Sequence, residues 1–271
     1  MGRRLSRIID ALRPRGLLYS TYEQQLLAQL DRNKLPRHVA VLADGNRRWA
    51  RANAPEQSLV AGYRAGADRL IEFCGWCDEV GIPVVTLWVL STDNLQRSDA
   101  GEVQPLLGVI ADLVERLAEQ WTVQAVGDLG MLPEPVADRL RRAMERSGGS
   151  ADASASGGMH VNVAVAYGGR HELMDAVRSL ISEKAEDGIS IGELAQTITD
   201  ADIARHLYTK GQPDPDLIIR TSGEQRLSGF LLWQSAHSEF YFCEALWPDF
   251  RRVDFYRALR SYEARERRFG R

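Results

Sequence analysis

Four short stretches place arginine beside glycine, asparagine or hydroxyl side chains: Asp44-Gly45-Asn46-Arg47-Arg48-Trp49, Ser91-Thr92-Asp93-Asn94-Leu95-Gln96-Arg97, Tyr167-Gly168-Gly169-Arg170, and Arg220-Thr221-Ser222-Gly223-Glu224-Gln225-Arg226-Leu227-Ser228. Glycines let backbone N–H groups approach an anion, helix N-termini add positive potential, and guanidinium forks match phosphate oxygens. Any one stretch alone reads as a capped turn with a solvated arginine. Four together point to diphosphate, in one copy or two. Asp44 is the carboxylate embedded in the first stretch, where Mg²⁺ bridging it to a diphosphate makes chemical sense. Glu239, just before Phe240-Tyr241-Phe242, is a second candidate ligand. For both, a helix cap or an arginine partner is the ordinary alternative.

The elements that must position these residues are legible as an alternation. Short β-branched runs at Val39 to Leu42, Val84 to Leu90, Val123 to Val126, Val161 to Ala166 and Leu217 to Ile219 read as strands, followed by Phe230 to Trp233 and Phe240 to Phe242. Helical patterns lie between them, at Ala65 to Glu79, Val103 to Ala118, Glu134 to Arg146 and Glu172 to Lys184. This predicts a single α/β domain with a central, mostly parallel sheet flanked by helices. Open sheets of this kind bind ligands beyond the carboxyl ends of their strands, where the arginine-bearing stretches fall. Ser147 to Gly158, SGGSADASASGG, has almost nothing to bury and reads as a mobile connector.

Composition removes several classes of function. The 271 residues suffice for a full core, and 34 basic against 37 acidic residues give a net charge of −3, which argues against a nucleic-acid-coating protein. No Walker motif G-x-x-x-x-G-K-[ST] occurs and no spaced-glycine dinucleotide fingerprint follows the first strand, so ATP and NAD lose support. Cys74-Gly75-Trp76-Cys77 lies in a helical apolar pattern without a second pair and reads as core rather than a redox centre. The three cysteines fit a reducing cytoplasm. The five histidines show no metal-ligand spacing, which disfavours a zinc hydrolase. No apolar run reaches the ~20 residues of a membrane span. Residues 1 to 15 carry Arg3, Arg4, Arg7, Arg13 and Arg15 around Ile8, Ile9 and Leu12, without the features of a signal peptide. They read as a solvated terminus, with a basic amphipathic helix in peripheral contact with anionic lipid as the alternative.

HVAVLADGNRRWA, LSTDNLQR, NVAVAYGGR, DLIIRTSGEQRLSGFLLWQSAHSEFYF and LWPDF, in this order between residues 38 and 250, resemble a cis-prenyltransferase of the undecaprenyl diphosphate synthase family. The resemblance implies a Mg²⁺-dependent homodimer with an apolar tunnel beside its sheet, joining isopentenyl diphosphate to an allylic diphosphate through a new cis double bond. It implies an N-terminal helical segment over 1–34 and a catalytic domain over 35–271. By matching motif, Asp44 is the essential carboxylate serving metal and allylic diphosphate, with Gly45, Asn46, Arg47, Arg48 and Trp49 as the allylic diphosphate loop. Asn94, with Ser91, Thr92 and Asp93, matches the position that organises proton removal, and Arg97 steadies that loop. Arg220, Arg226, Leu227 and Ser228 match the isopentenyl diphosphate site, and Glu239 completes the metal site. Arg268-Phe269-Gly270 resembles an ending that reaches the partner subunit's site.

The chain also departs from the family pattern. Leu59 and Tyr63 stand where an arginine and a histidine are usual, Asp93-Asn94-Leu95 replaces Glu-Asn-Trp, and Gln225 replaces a histidine before Arg226. These changes resemble the short-chain branch that makes (2Z,6E)-farnesyl diphosphate from geranyl diphosphate. Val89 occupies a tunnel-lining place where long-chain members often carry alanine, and its extra methyls would crowd a growing chain. The alternatives are a medium- or long-chain polyprenyl diphosphate synthase for a glycan carrier lipid, and a noncatalytic prenyltransferase subunit.

Overall fold

Residues alternate between two faces along each strand, and both faces are covered. In β1 (His38–Leu42), Val39 and Val41 enter one core while Ala40 and Leu42 enter a second. The computed structural model describes residues 14–97, 100–148 and 158–265. With β2 (Val84–Trp88), β3 (Thr122–Val126), β4 (His160–Ala164), β5 (Leu217–Arg220) and β6 (Glu239–Phe242), β1 forms one sheet in the order β3-β4-β2-β1-β5-β6. All five pairings are parallel. The expected sheet is therefore present and parallel throughout these strands.

Parallel neighbours require crossovers, and helices supply them. The larger core is packed by α1 (Pro14–Gln29), α3 (Val60–Val80), α5 (Ala100–Leu117), α6 (Glu134–Arg146) and α10 (Arg252–Glu263). Leu26 of α1 is buried in that core. Between them α2 (Asn46–Asn53) follows β1, and α4 (Thr92–Arg97) follows β2. The opposite face carries α7 (Gly169–Glu186), with α8 (Ile191–Thr197) and α9 (Asp200–Ala204) after it. Phe73 of α3 meets Trp247 edge-on at 5.7 Å and Phe255 of α10 at 5.1 Å, clamping the Leu246 to Phe250 segment onto α3. That clamp places Trp247, whose backbone N–H donates to the Asp44 carbonyl at 2.9 Å, beneath the first arginine-bearing loop.

Several expectations are corrected. Phe230 to Trp233 is not a strand: it forms turns leading into a 3-10 turn over Gln234–His237. Its apolar character comes from burial of Phe230 and Leu231 under the sheet, with Leu231 in left-handed backbone at φ +47°, which no strand accommodates. β2 ends at Trp88 and β4 at Ala164, short of Leu90 and Ala166, because the chain turns toward the site there and Ala166 has φ +49°. Most of the Ser147 to Gly158 connector, residues 1–13 of the basic terminus, and Arg268-Phe269-Gly270 lie outside the described residues. Among the described residues no helix is long and apolar enough to cross a membrane.

Candidate active site

The carboxyl ends of β1, β2, β4 and β5 converge on Asp44. Its main chain is fixed first. The Asp44 N–H donates to Thr221 Oγ1 at 3.1 Å, and that hydroxyl donates to the Asp44 carbonyl at 2.8 Å. Gly45 follows at φ +110°, and a β-carbon there would lie 2.9 Å from Leu246 Cδ2, so only glycine lets the loop turn into α2 at this point. The Asp44 carboxylate then meets two guanidinium groups. Arg220 Nη2 donates to Oδ2 at 3.1 Å, and Arg48 Nη2 stands 3.7 Å from Oδ1.

Arg220 is the buried cation of the cluster. Its side chain is 5% exposed and that of Asp44 40%, so the pair runs from the protein interior to an open surface. Nη1 of Arg220 donates to Ser228 Oγ at 3.0 Å and to the Arg226 carbonyl, which folds the loop after β5 back over the sheet end. This loop is strained. All four non-glycine residues with positive φ among the described residues, Ala166, Ser222, Ser228 and Leu231, lie in the segments after β4 and β5. A buried carboxylate secures the strain: Glu172 of α7 accepts from the Tyr167 hydroxyl at 2.5 Å, the Tyr208 N–H at 3.0 Å and Gln234 Nε2 at 3.0 Å. The Tyr167 oxygen in turn accepts from the Leu231 N–H at 3.1 Å. Burial pushes the Glu172 carboxyl above its usual range, and burial together with the Glu172 charge pushes the Tyr167 hydroxyl far up.

Two cavities meet at Asp44. The larger, about 1010 Å³, is lined by the polar groups of all four loops, including Ser91, Arg170, Arg220, Arg226 and Ser228. The N-terminus of α7 opens onto it at Gly168 and Gly169. The smaller, about 310 Å³, begins at Gly45, Asn46, Arg47 and Arg48 and runs between two apolar stripes. Ala67 and Leu70 of α3 form one, and Leu106, Val109, Ile110 and Leu113 of α5 form the other. Ala43, Asp44, Trp88, Val89, Leu90 and Asn94 line both cavities. Trp88 is held in this shared wall by stacking on Phe230 at 5.1 Å.

Most of the sequence-selected residues are thus brought together, and a few are not. Trp49 lines neither cavity; its indole donates to Asp249 at 2.8 Å and ties α2 to the Leu246 to Phe250 segment. Leu227 packs on the smaller core rather than into a cavity. Ser91 accepts from the Asn94 N–H at 3.0 Å, which starts α4 with Thr92, Asp93 and Asn94 facing the larger cavity and Arg97 at its end. Glu239 is not brought to Asp44 within the chain. The register pairs it with Leu217, whereas Arg220 pairs with Phe242, so Glu239 sits at the opposite end of the sheet in an ion pair with Arg265. Glu172 escaped sequence reasoning because a lone glutamate on a helix looks solvated. The α3 and α5 stripes were visible as helical periodicity, but that pattern is the same for a core and for a ligand wall.

The donor set at Asp44 suits a particular kind of metal binding. Among the described residues no group of three or more His, Cys, Asp or Glu side chains could hold an ion unaided. Asp44 offers a partly exposed carboxylate at the mouth of two cationic cavities, which fits a hard divalent ion that takes its remaining ligands from phosphate and water.

Comparison with known proteins shows the family. The Prenyltransf family model, described as undecaprenyl diphosphate synthase, matches residues 42–270. The chain belongs to the undecaprenyl diphosphate synthase family. Within the family it is 53% identical over 257 residues to a (2Z,6E)-farnesyl diphosphate synthase of Mycolicibacterium smegmatis, covering 93% of this chain and 95% of that one. It is 55% identical over 254 residues to a (2Z,6E)-farnesyl diphosphate synthase of Thermobifida fusca, covering 93% and 97%. Its fold is similar to the crystal structure of lavandulyl diphosphate synthase from Lavandula x intermedia in complex with dimethylallyl diphosphate. That likeness has a TM-score of 0.78 at 36% identity, over 88% of this chain and 100% of that one. As in the family at large, this chain is a cis-prenyl diphosphate synthase, a transferase of prenyl groups.

Proposed function

We propose that the protein adds one isopentenyl unit to geranyl diphosphate, giving (2Z,6E)-farnesyl diphosphate. The observation that carries this reading is the wall shared by two cavities at Asp44, one ringed by arginine, hydroxyl and glycine groups from four loops and one apolar beyond a cationic mouth. The smaller cavity takes the allylic substrate, its diphosphate at Gly45 to Arg48 and its chain between α3 and α5. The larger takes isopentenyl diphosphate on Arg220, Arg226 and Ser228. Asp44 would hold Mg²⁺, which when bound supplies positive charge to the departing allylic diphosphate.

The chain's own groups do the rest. Arg47 and Arg48 bind the allylic diphosphate as its charge grows during C–O cleavage, an interaction stronger in the transition state than before it. Trp88, Val89 and Leu90 exclude water from the allylic cation. Asn94, an amide and a poor base, orients the isopentenyl group, and a diphosphate oxygen takes the proton as the new double bond forms. Val89 narrows the smaller cavity, whose roughly 310 Å³ is modest for a ligand pocket, and this supports a short product.

A homodimer completes the reading. Met174, Val177 and Ile181 form an exposed apolar stripe on α7, Leu232 and Phe242 are also exposed, and Met174 and Leu232 line the larger cavity. Glu239, paired with Arg265 just before the Arg268-Phe269-Gly270 ending, would serve the metal of the other subunit. All three cysteines are unpaired thiols, consistent with a reducing cytoplasm, and residues 1–13 would supply any peripheral membrane contact. Offering dimethylallyl, geranyl and farnesyl diphosphates in turn, with radiolabelled isopentenyl diphosphate and Mg²⁺, tests the reading. Geranyl diphosphate should give a single fifteen-carbon Z,E product, as one five-carbon addition requires. A ladder of long products would establish the medium- or long-chain alternative instead.

A further inference from the structure

The cationic mouth of the smaller cavity already holds an anion of the protein's own. Its two walls are helical faces with the same spacing, Tyr63, Gly66, Ala67 and Leu70 on α3 and Leu106, Val109, Ile110 and Leu113 on α5. Four residues before Leu106, in the first turn of α5, stands Glu102, so the apolar stripe of that helix ends in a carboxylate at the diphosphate end. Glu102 Oε2 accepts from Arg47 Nη2 at 2.7 Å, and Oε1 accepts from the Tyr63 hydroxyl. The glutamate is 19% exposed and the arginine 52%. Tyr63 spends its one proton on Glu102, at the position where the family pattern leads one to expect histidine. The carboxylate is therefore anchored from α3 while it faces α2.

A carboxylate and a diphosphate are competing ligands for one guanidinium fork, because both present paired oxygens to the same N–H groups. We propose that Glu102, aimed by Tyr63, occupies Arg47 until the allylic diphosphate displaces it, so that this pair sets the affinity of the allylic site. Both are positioning residues acting through Arg47. The inference rests on the allylic site proposed above and names what the substrate must displace there. Its sign is opposite to that of a residue that supports binding: removing the glutamate charge strengthens substrate uptake. A partly exposed ion pair of this kind holds Arg47 by at most about a fivefold factor.

The test is calorimetric titration of the full chain with geranyl S-thiolodiphosphate, an uncleavable allylic analogue, in the presence of Mg²⁺. Glu102→Gln keeps the size and the acceptor for Tyr63 but removes the charge, and should bind the analogue about three- to fivefold more tightly. Tyr63→Phe should give a smaller gain in the same direction. The double variant should match Glu102→Gln, because the hydroxyl that Tyr63→Phe removes acts through Glu102 while the ring stays in the cavity wall. The KM for isopentenyl diphosphate should not move. A Glu102→Gln protein with a native melting curve and equal or weaker affinity overturns the proposal, since Glu102 would then be bracing Arg47 for the substrate. Should the glutamine variant fail to fold, Glu102→Asp, which retains the charge but draws it back from Arg47, should also bind more tightly, and unchanged affinity there refutes displacement equally. Wild-type protein that takes up no analogue would remove the allylic-site reading itself, a result distinct from an unmoved variant.

Discussion

Replacing Asp44 by asparagine separates the stabilising role of this residue from its chemical one. The change preserves shape and removes one negative charge from a cluster in which Arg220 is almost fully buried. Removing one partner of a fully buried ion pair costs ~3–5 kcal/mol, because the other charge is left uncompensated. Here Asp44 is 40% exposed, and Arg220 keeps its bonds to Ser228 and the Arg226 carbonyl. Water and these acceptors share the load, so the stability loss should be about 1–2 kcal/mol. The chemical loss should be larger. Deleting a group that organises charge around a leaving oxyanion typically lowers kcat ~10²–10³-fold, equivalent to roughly 3–4 kcal/mol on the barrier. Urea unfolding measures the first quantity, and single-turnover release of diphosphate from geranyl and isopentenyl diphosphates measures the second. A folded Asp44→Asn protein retaining more than a tenth of the wild-type rate would refute the placement of the reacting centre at Asp44.

Other perturbations probe the surrounding parts. Val89→Ala removes two methyl groups from the wall shared by both cavities, at a stability cost of about 1 kcal/mol, and chromatography of the products should show chains at least one isoprene unit longer; identical lengths would acquit Val89 of limiting the chain. Tyr167→Phe breaks the link from Glu172 to the Leu231 N–H, so it should cost about 1–3 kcal/mol and raise the KM for isopentenyl diphosphate while leaving that for the allylic substrate alone. Equal effects on both KM values would contradict a role confined to the loop after β5. His38 is buried, bonded to Thr86 Oγ1 and the Pro213 carbonyl at 2.7 Å each, and burial lowers its pKa from 6.5 to about 4 despite the raising influence of Pro213 and Asp216. Between those two values the unfolded chain binds a proton that the native chain refuses. Stability is therefore fully present above pH 6.5 and lost as pH falls toward 4, by about 3 kcal/mol in all. Comparing urea midpoints of wild type and His38→Gln across that range checks it, and parallel pH profiles would exclude His38 as the source.

The sheet was readable from the chain alone because buried parallel strands are short β-branched runs, and helices such as Glu134–Arg146 announce themselves by period and by Pro135 near the start. The candidate site was legible for a similar reason. Arginine next to glycine and hydroxyl residues is what phosphate requires, and those residues are consecutive, so Asp44, Arg47, Arg48, Arg220, Arg226 and Ser228 could be selected without coordinates. Phe230 to Trp233 failed because an apolar run reports burial and not backbone conformation.

What the sequence determined, then, was which side chains can meet diphosphate, since that depends on residue type and local order. The fold alone decided which of them meet one another. Arg220 lies 176 positions from Asp44 and Glu102 lies 55 from Arg47, and only the parallel register and the packing of α5 against α3 bring each pair within bonding distance. Register also carries Glu239 away from Asp44, because neighbouring parallel strands send residues at their starts and at their ends to opposite rims of the sheet.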